Sequence, residues 1–266
     1  TVASSSIETF WETSQGQAWF QLYFSGDGSG THKLADRAKA IGYETLVLTV
    51  DVPEVGRRPR ELRQGFKMPF RMSPRAFTDF ALHPYWSLTT LAKGSPELGN
   101  FTPEHAARGY IFDRTESRAG VDWAFFDRLR DQWPGNIVAK GVLDPRDAVE
   151  LKSRGADAIQ VSSHGGRQME SSVLPIHALP TIRQAVGPDF PLFFDSGVRT
   201  GEDVLKVLAL GADFAFFGRP LQFSIAARQE RGLAEFWEGV RTELSLSLAM
   251  LGLTDVGDLS PEVLGR

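Results

Sequence analysis

The sequence predicts an α/β barrel of the (β/α)8 type, with six of the eight β/α units inside its 266 residues. Three observations carry that prediction. Short apolar runs alternate with amphipathic stretches, a rhythm that builds a parallel sheet with right-handed crossovers. The runs are continuously apolar, as strands buried on both faces are. Each run also ends on polar side chains or glycines: Gln21 and Tyr23, Thr49 and Asp51, Lys140, His164, Asp195, Gly218 and Arg219. A barrel assembles its site from many strand ends, whereas an open doubly wound sheet gathers its ligand at one switch point. Six contributing strands therefore favour the barrel. The first two units are expected before Thr1, and residues 1–266 are expected to form one domain, the C-terminal three-quarters of the barrel.

Taken in order, Thr1–Ser6 reads as a strand end running into a helix cap. The predicted strands are Ala18–Phe24, Thr45–Asp51, Asn136–Val142, Ala158–His164, Pro191–Gly197 and Phe214–Pro220. Helices are predicted over Ser29–Ile41, Val121–Gln132, Pro145–Arg154, Ile176–Val186 and Gly201–Leu210, and a long amphipathic one over Gly232–Leu251. In the fifth of these, Val204, Leu205, Val207 and Leu208 form an apolar stripe at helical spacing. Residues 52–120 break the rhythm, because ordinary βα loops take only about 2–6 residues. This excursion opens with Arg57, Arg58, Arg60, Arg63, Lys67, Arg71 and Arg75 and continues through His83, Pro84, Tyr85 and Trp86. It is expected to be a long rim loop, of the kind that forms lids or docking surfaces.

Composition narrows the function. Hydrophobic residues make up 42% and charged residues 23%, near globular averages, so wholesale disorder is not expected. No run reaches the roughly 18 apolar residues of a spanning helix. Cysteine is absent, which removes disulfides, thiolate metal sites and a Cys nucleophile. The net charge of −4 gives no support to a nucleic-acid partner. His32, His83, His105 and His177 are scattered without carboxylates at ligand spacing, so no metal site is predicted. Walker loops, a G-x-G-x-x-G after a strand and a G-x-S-x-G elbow are all missing, which disfavours ATP, nicotinamide and serine-hydrolase chemistry.

Four constellations carry chemistry. Ser162-Ser163-His164-Gly165-Gly166-Arg167-Gln168 closes a buried strand. Its glycines let backbone approach a flat ligand, an imidazole can act as a base near neutral pH, and a guanidinium can grip a carboxylate with its planar fork. Asp195-Ser196-Gly197-Val198-Arg199 and Gly218-Arg219-Pro220 follow the last two strands, the quarter of a barrel rim that often holds a phosphate. Lys140 ends an apolar strand, where an ammonium needs an anionic partner. Thr49-Val50-Asp51 and Gln21-Leu22-Tyr23 add a carboxylate able to orient a histidine and a phenol able to hydrogen-bond an oxyanion. Set singly, each also has a plain structural reading as a capped turn, a solvated charge or a snorkelling lysine.

Together these motifs resemble the FMN-dependent L-2-hydroxyacid oxidases and dehydrogenases, the family of glycolate oxidase, flavocytochrome b2, L-lactate dehydrogenase and mandelate dehydrogenase. Ser162–Gln168 is similar to the family's S-N-H-G-[AG]-R-Q except at Ser163, where Asn is usual. The Q-L-Y, T-V-D, V-K-G, D-[GS]-G-[VIF]-R and G-R-P elements are matched in order, with Ala139 standing before Lys140. Glu170 stands where Asp is usual.

The resemblance implies FMN as cofactor, held by Gln21, Thr49, Lys140, Ser162, Asp195, Gly197, Arg199, Gly218 and Arg219. It implies His164 as catalytic base, Asp51 as the carboxylate supporting its protonated form, and Tyr23, Arg58 and Arg167 as substrate contacts, with Tyr23 and Arg167 also placed in the catalytic set. The expected substrate is a small 2-hydroxy acid and the expected electron acceptor oxygen or a quinone. A homo-oligomer, tetrameric by resemblance, is implied as well. The HPYW…LGN stretch in the 52–120 loop is closer to the membrane-associated bacterial dehydrogenases, so the expected location is cytoplasmic or peripheral on the inner face of the cell membrane; a soluble lid is the competing reading of that loop. Two other functions stay open from the residues: a Schiff-base aldolase using Lys140, and a non-catalytic flavin-binding protein.

Overall fold

The computed structural model describes residues 1–54, 56, 63, 72–94, 97–107, 109 and 117–265. Six parallel strands form one sheet in strictly sequential order: β1 (Phe20–Tyr23), β2 (Thr45–Thr49), β3 (Asn136–Val142), β4 (Ala158–Val161), β5 (Leu192–Phe194) and β6 (Phe214–Ala215). Sequential parallel pairing with a helix in each crossover is barrel geometry, since a doubly wound sheet must reverse its strand order. Helix α1 (Ile7–Thr13) precedes β1, and α2 (Ser29–Ile41) joins β1 to β2. The later crossovers are α6 (Trp123–Gln132), α7 (Pro145–Ser153), α8 (Pro175–Val186) and α9 (Gly201–Ala209).

Side chains alternate across this sheet and sort the core into two faces. Phe20, Leu22, Leu46, Leu48, Ile137, Ala139, Ile159, Val161, Leu192 and Phe194 point one way and merge with Leu34, Phe125, Phe126, Leu129, Trp133, Leu179 and Ile182 from the helices. Val47, Val138, Ala158 and Phe193 form a separate small cluster on the other face. One step further along the same face stand Thr49, Lys140 and Gln160, paired in register. The strands therefore offer an apolar floor with a polar layer above it, and that layer becomes the site.

Local signals explain the helix starts. Ser6, Asp122, Asp144 and Thr200 each accept a backbone N–H in the first turn of the helix that follows. Ser6 is thus a cap as predicted, and the chain before it runs beside β1, where the Thr1 nitrogen donates to the Gln21 carbonyl at 3.0 Å. Gly42 ends α2 at φ 114°, a conformation open to glycine.

Three expectations need correction. All strands except β3 are shorter than the predicted apolar runs; β6 stops at Ala215, so Gly218-Arg219-Pro220 does not end a strand but opens a helix. The last helix, α10, runs Arg219–Met250, starting 13 residues before the predicted Gly232. Arg228 and Gln229 leave helical geometry, and the periodic pattern was legible only beyond that kink. The 52–120 excursion is also no simple loop. It holds α3 (Pro74–Leu82), α4 (Pro84–Lys93) and α5 (Pro103–Ala107), the first two opened by proline in the first turn. Its far end is tied down by Asn100, which is buried and bonds both the Ile7 N–H and the Thr1 carbonyl, each at 2.9 Å.

Candidate active site

At the C-terminal ends of the strands lies a cavity of about 630 Å3 lined by Gln21, Lys140, Gln160, His164, Arg167, Asp195, Gly197, Arg199, Gly218 and Arg219 among others. The sequence-predicted residues converge here from five strands and from the start of α10. Gln21 donates to the Thr49 hydroxyl at 2.9 Å, which fixes both at the cavity's β1–β2 side.

Lys140 and Asp195 form the electrostatic centre. Lys140 Nζ lies 3.1 Å from Asp195 Oδ2 and donates to Ser162 Oγ at 3.0 Å. Asp195 Oδ2 also accepts from the Gln160 amide at 2.5 Å, and Oδ1 accepts from the Ser162 and Ser196 hydroxyls at 2.6 and 2.7 Å. Burial alone would raise the Asp195 carboxyl's pKa; the Lys140 charge and the hydroxyl donors outweigh it and hold the pKa below the ordinary value. The carboxylate is therefore kept ionised inside the cavity wall.

His164 opens a short 3-10 turn, His164–Gly166, whose three residues all have positive φ (54°, 67° and 72°). Glycine accommodates this and histidine tolerates it only where surroundings enforce it. Its Nδ1 lies 3.0 Å from Asp51 Oδ1, across 113 residues of sequence. That bond leaves Nε2 as the nitrogen free to take a proton. Asp51 Oδ2 is buried and has no hydrogen-bond partner among the described residues. Arg167 is exposed and lines the same cavity.

The excursion is strapped to this turn. Gln168 donates to the Glu54 carbonyl at 3.1 Å, and a Cβ on Gly56 would strike the carbonyl oxygens of Arg167 and Gln168, each at 2.7 Å. Ser117 donates to Glu54 Oε1 at 2.9 Å, and Arg118 N–H to the Pro53 carbonyl at 3.0 Å.

Tyr23 stands two residues beyond Gln21 on the same face of β1, in register with Thr49. It lines a second cavity of about 320 Å3 with Ser25, Thr31 and Phe101, and the Arg118 guanidinium stacks 5.6 Å from its ring centre. Arg58, the other predicted substrate arginine, lies outside the described residues with its neighbour Arg57. Two participants escaped the sequence reading, Gln160 and Ser196. Gln160 was legible in principle, as a buried amide on the same face as Lys140 in an otherwise apolar strand. Ser196 stood inside the Asp195–Arg199 motif without a role of its own, because the two backbone N–H groups it accepts belong to a turn distant in sequence.

The phosphate end of a flavin mononucleotide fits what is present. Gly197, at φ 95°, and Gly218 both face open space where a Cβ would project. The N-terminus of α10 carries no side-chain cap, so its first N–H groups are open to an anion, with Arg199 and Arg219 on the same cavity. No group of side chains suited to a metal ion occurs among the described residues. Lys140 is engaged by Asp195 and Ser162 as an ion-pair partner, which does not favour the Schiff-base alternative.

Comparison with known proteins agrees with this geometry. The model of the FMN-dependent dehydrogenase family matches residues 1–266. The L-lactate dehydrogenase of Serratia proteamaculans is 35% identical over 99% of this chain and 71% of its own. The (S)-mandelate dehydrogenase of Pseudomonas putida is 36% identical over 99% of this chain and 67% of its own. A crystal structure of a monotopic membrane protein, (S)-mandelate dehydrogenase, superposes with a TM-score of 0.89 at 35% identity, covering 98% of this chain and 70% of that one. The arc of six strands is thus part of a (β/α)8 barrel, its cofactor is FMN, and the chain belongs to the FMN-dependent dehydrogenase family.

Proposed function

We propose that residues 1–266 form one FMN-binding domain that oxidises an L-2-hydroxy acid to the 2-oxo acid. The observation that carries this reading is the 3.0 Å His164–Asp51 pair opening onto the cavity that also holds Lys140 and the uncapped start of α10. The substrate must lose two protons and two electrons. FMN, when bound, would supply the oxidant for the two electrons and take up the proton that does not go to His164. His164 Nε2 takes a proton, and the Asp51 carboxylate steadies the imidazolium that results, as a triad carboxylate does. Arg167 is placed to bind the substrate carboxylate in fork geometry, which fixes the reacting carbon and makes the step effectively unimolecular. Arg58 is read as the second carboxylate contact and Tyr23 as a hydroxyl contact. Gln21, Thr49, Ser162 and Asp195 would hold the cofactor's ring and ribityl chain, with Lys140 placed to balance negative charge on the ring. Gly197, Arg199, Gly218 and Arg219 would hold its phosphate.

Anaerobic titration tests the reading. The purified protein should be yellow, and L-lactate or L-mandelate should bleach it while the D-enantiomers do not. A reconstituted protein that no 2-hydroxy acid bleaches would sink the proposal.

The acceptor is read as a quinone at a membrane surface. Helices α3 and α4 bury none of their residues and expose Phe77, Leu82, Tyr85, Trp86, Leu88 and Leu91. No described helix is long and apolar enough to cross a membrane. Exposed apolar helices with Arg75 and Lys93 beside them suit insertion into the headgroup layer of the inner membrane face. Reoxidation of the bleached protein by a water-soluble quinone, far faster than by oxygen, is the expected result.

A further inference from the structure

Ser196 is a strained residue with a fully used hydroxyl. Its φ is 83°, a left-handed conformation that L side chains rarely adopt. Its Oγ accepts from the Ser163 N–H at 3.1 Å and the Gly165 N–H at 3.0 Å, and donates to Asp195 Oδ1 at 2.7 Å. One donor and two lone pairs are the whole capacity of a hydroxyl, and all three are spent here. The two N–H groups it holds flank His164. The N–H of His164 itself is taken by Ser162 Oγ, which also donates to Asp195 Oδ1, at 2.6 Å. Three successive amides of the base-bearing turn are thus gathered through two serine hydroxyls onto one carboxylate, and that carboxylate is paired with Lys140.

We propose that Ser196 is a positioning residue: its hydroxyl sets the backbone of residues 163–165, and through it the direction in which His164 presents Nε2. This rests on the reading of His164 as the base. The physical argument is one of independent control. A turn whose three residues all sit at positive φ has no intrinsic preference for that shape, so it must be held from outside. Asp51 fixes the imidazole at Nδ1, but a single contact leaves the ring free to pivot about it. Clamping the backbone on both sides of His164 removes that freedom. Ser196 donates to the same oxygen as Ser162, so the turn is referenced to the Lys140–Asp195 pair that faces the cofactor cavity. The base and the cofactor floor are then held in one frame.

The test uses the FMN-loaded protein carrying Ser196→Gly, which suits the backbone angle and removes the hydroxyl. Hydrogen exchange at the Ser163 and Gly165 amides should accelerate by roughly tenfold or more, because each loses its acceptor. The rate of anaerobic bleaching at saturating hydroxy acid should fall by roughly tenfold to a hundredfold, the size expected for lost hydrogen bonds acting on orientation. Half-saturation should stay within about threefold of wild type, since Arg167 is unchanged, and FMN should be retained, since Lys140, Gln160 and Ser162 still hold Asp195 and Arg199 and Arg219 are unchanged. Ser196→Ala, which keeps a Cβ at the strained angle, should lose rate to the same degree. A Ser196→Gly bleaching rate within about twofold of wild type overturns the proposal, as does a loss confined to half-saturation or FMN retention. So does a loss seen in Ser196→Ala alone, which would assign the effect to strain. A wild-type protein that no hydroxy acid bleaches removes the base reading and this inference together; a wild type that bleaches beside an unimpaired Ser196→Gly removes this inference alone.

Discussion

Gly141 shows how one missing side chain shapes the base pair. It lies where the β3–β4 register shifts between Lys140 and Val142, a bulge, and its φ is 103°. A Cβ there would come within 2.5 Å of Asp51 Cβ and Cγ and 2.9 Å of Oδ2. Lys140 can therefore end its strand facing the cavity while Asp51, from the neighbouring strand end, occupies the space beside Gly141. Gly141→Ala is expected to force Asp51 away from His164, since both the angle and the contact exclude a methyl group. Backbone strain of this kind costs about 1–3 kcal/mol. Misplacing a catalytic partner by about 1 Å can cost on the order of a hundredfold in rate. Urea unfolding and single-turnover bleaching of Gly141→Ala measure the two effects; a variant with normal bleaching would show that Asp51 can retreat without loss.

Helices α3 and α4 behave unlike the crossover helices. The crossover helices α2, α6, α7, α8 and α9 each bury an apolar stripe against the strands, whereas α3 and α4 bury nothing. Leu91 and Tyr85 are 81% and 77% exposed, too costly a display for helices that simply face water. Replacing Phe77, Trp86, Leu88 and Leu91 with Ser should abolish sedimentation with anionic phospholipid vesicles while leaving bleaching by hydroxy acids intact. Equal sedimentation of the two proteins would remove the membrane reading and leave the soluble lid. The straps from Glu54 to Gln168 and Ser117 tie both ends of the excursion to the segment that carries His164.

The cavity joins strand ends that are far apart in sequence, so the cofactor's binding is coupled to the closure of the whole arc. Like charges gather there, with Arg167, Arg199 and Arg219 all on the cavity lining, and Gly197 and Gly218 project no side chain into it. A ligand that binds only the folded form at a hundred times its dissociation constant adds about 2.7 kcal/mol. For a chain of this size that corresponds to a rise of roughly 5–10 °C in the melting midpoint. Calorimetry of FMN-stripped and FMN-saturated protein measures it; a midpoint indifferent to FMN would contradict the assigned cofactor cavity.

Strand and helix order, the polar ends of the first five strands and the cavity glycines Gly197 and Gly218 were legible in the chain because they depend on local periodicity and on residue types that tolerate few environments. The match of α2 at Ser29–Ile41 and of β3 at Asn136–Val142 to their predicted bounds reflects strong local signals, an αL glycine after one and an unbroken apolar run in the other. The start of α10 at Arg219 and the helices inside residues 52–120 were not legible, since the kink at Arg228–Gln229 and the unburied faces of α3 and α4 hide the usual pattern. Residue types announced a base, a carboxylate and a lysine. Which of them touch, that Asp51 reaches His164 and that the Ser196 hydroxyl accepts the N–H groups of Ser163 and Gly165, was settled by folding, because hydrogen bonds spanning 31 to 113 residues depend on strand register and bulge position and leave no trace in local sequence.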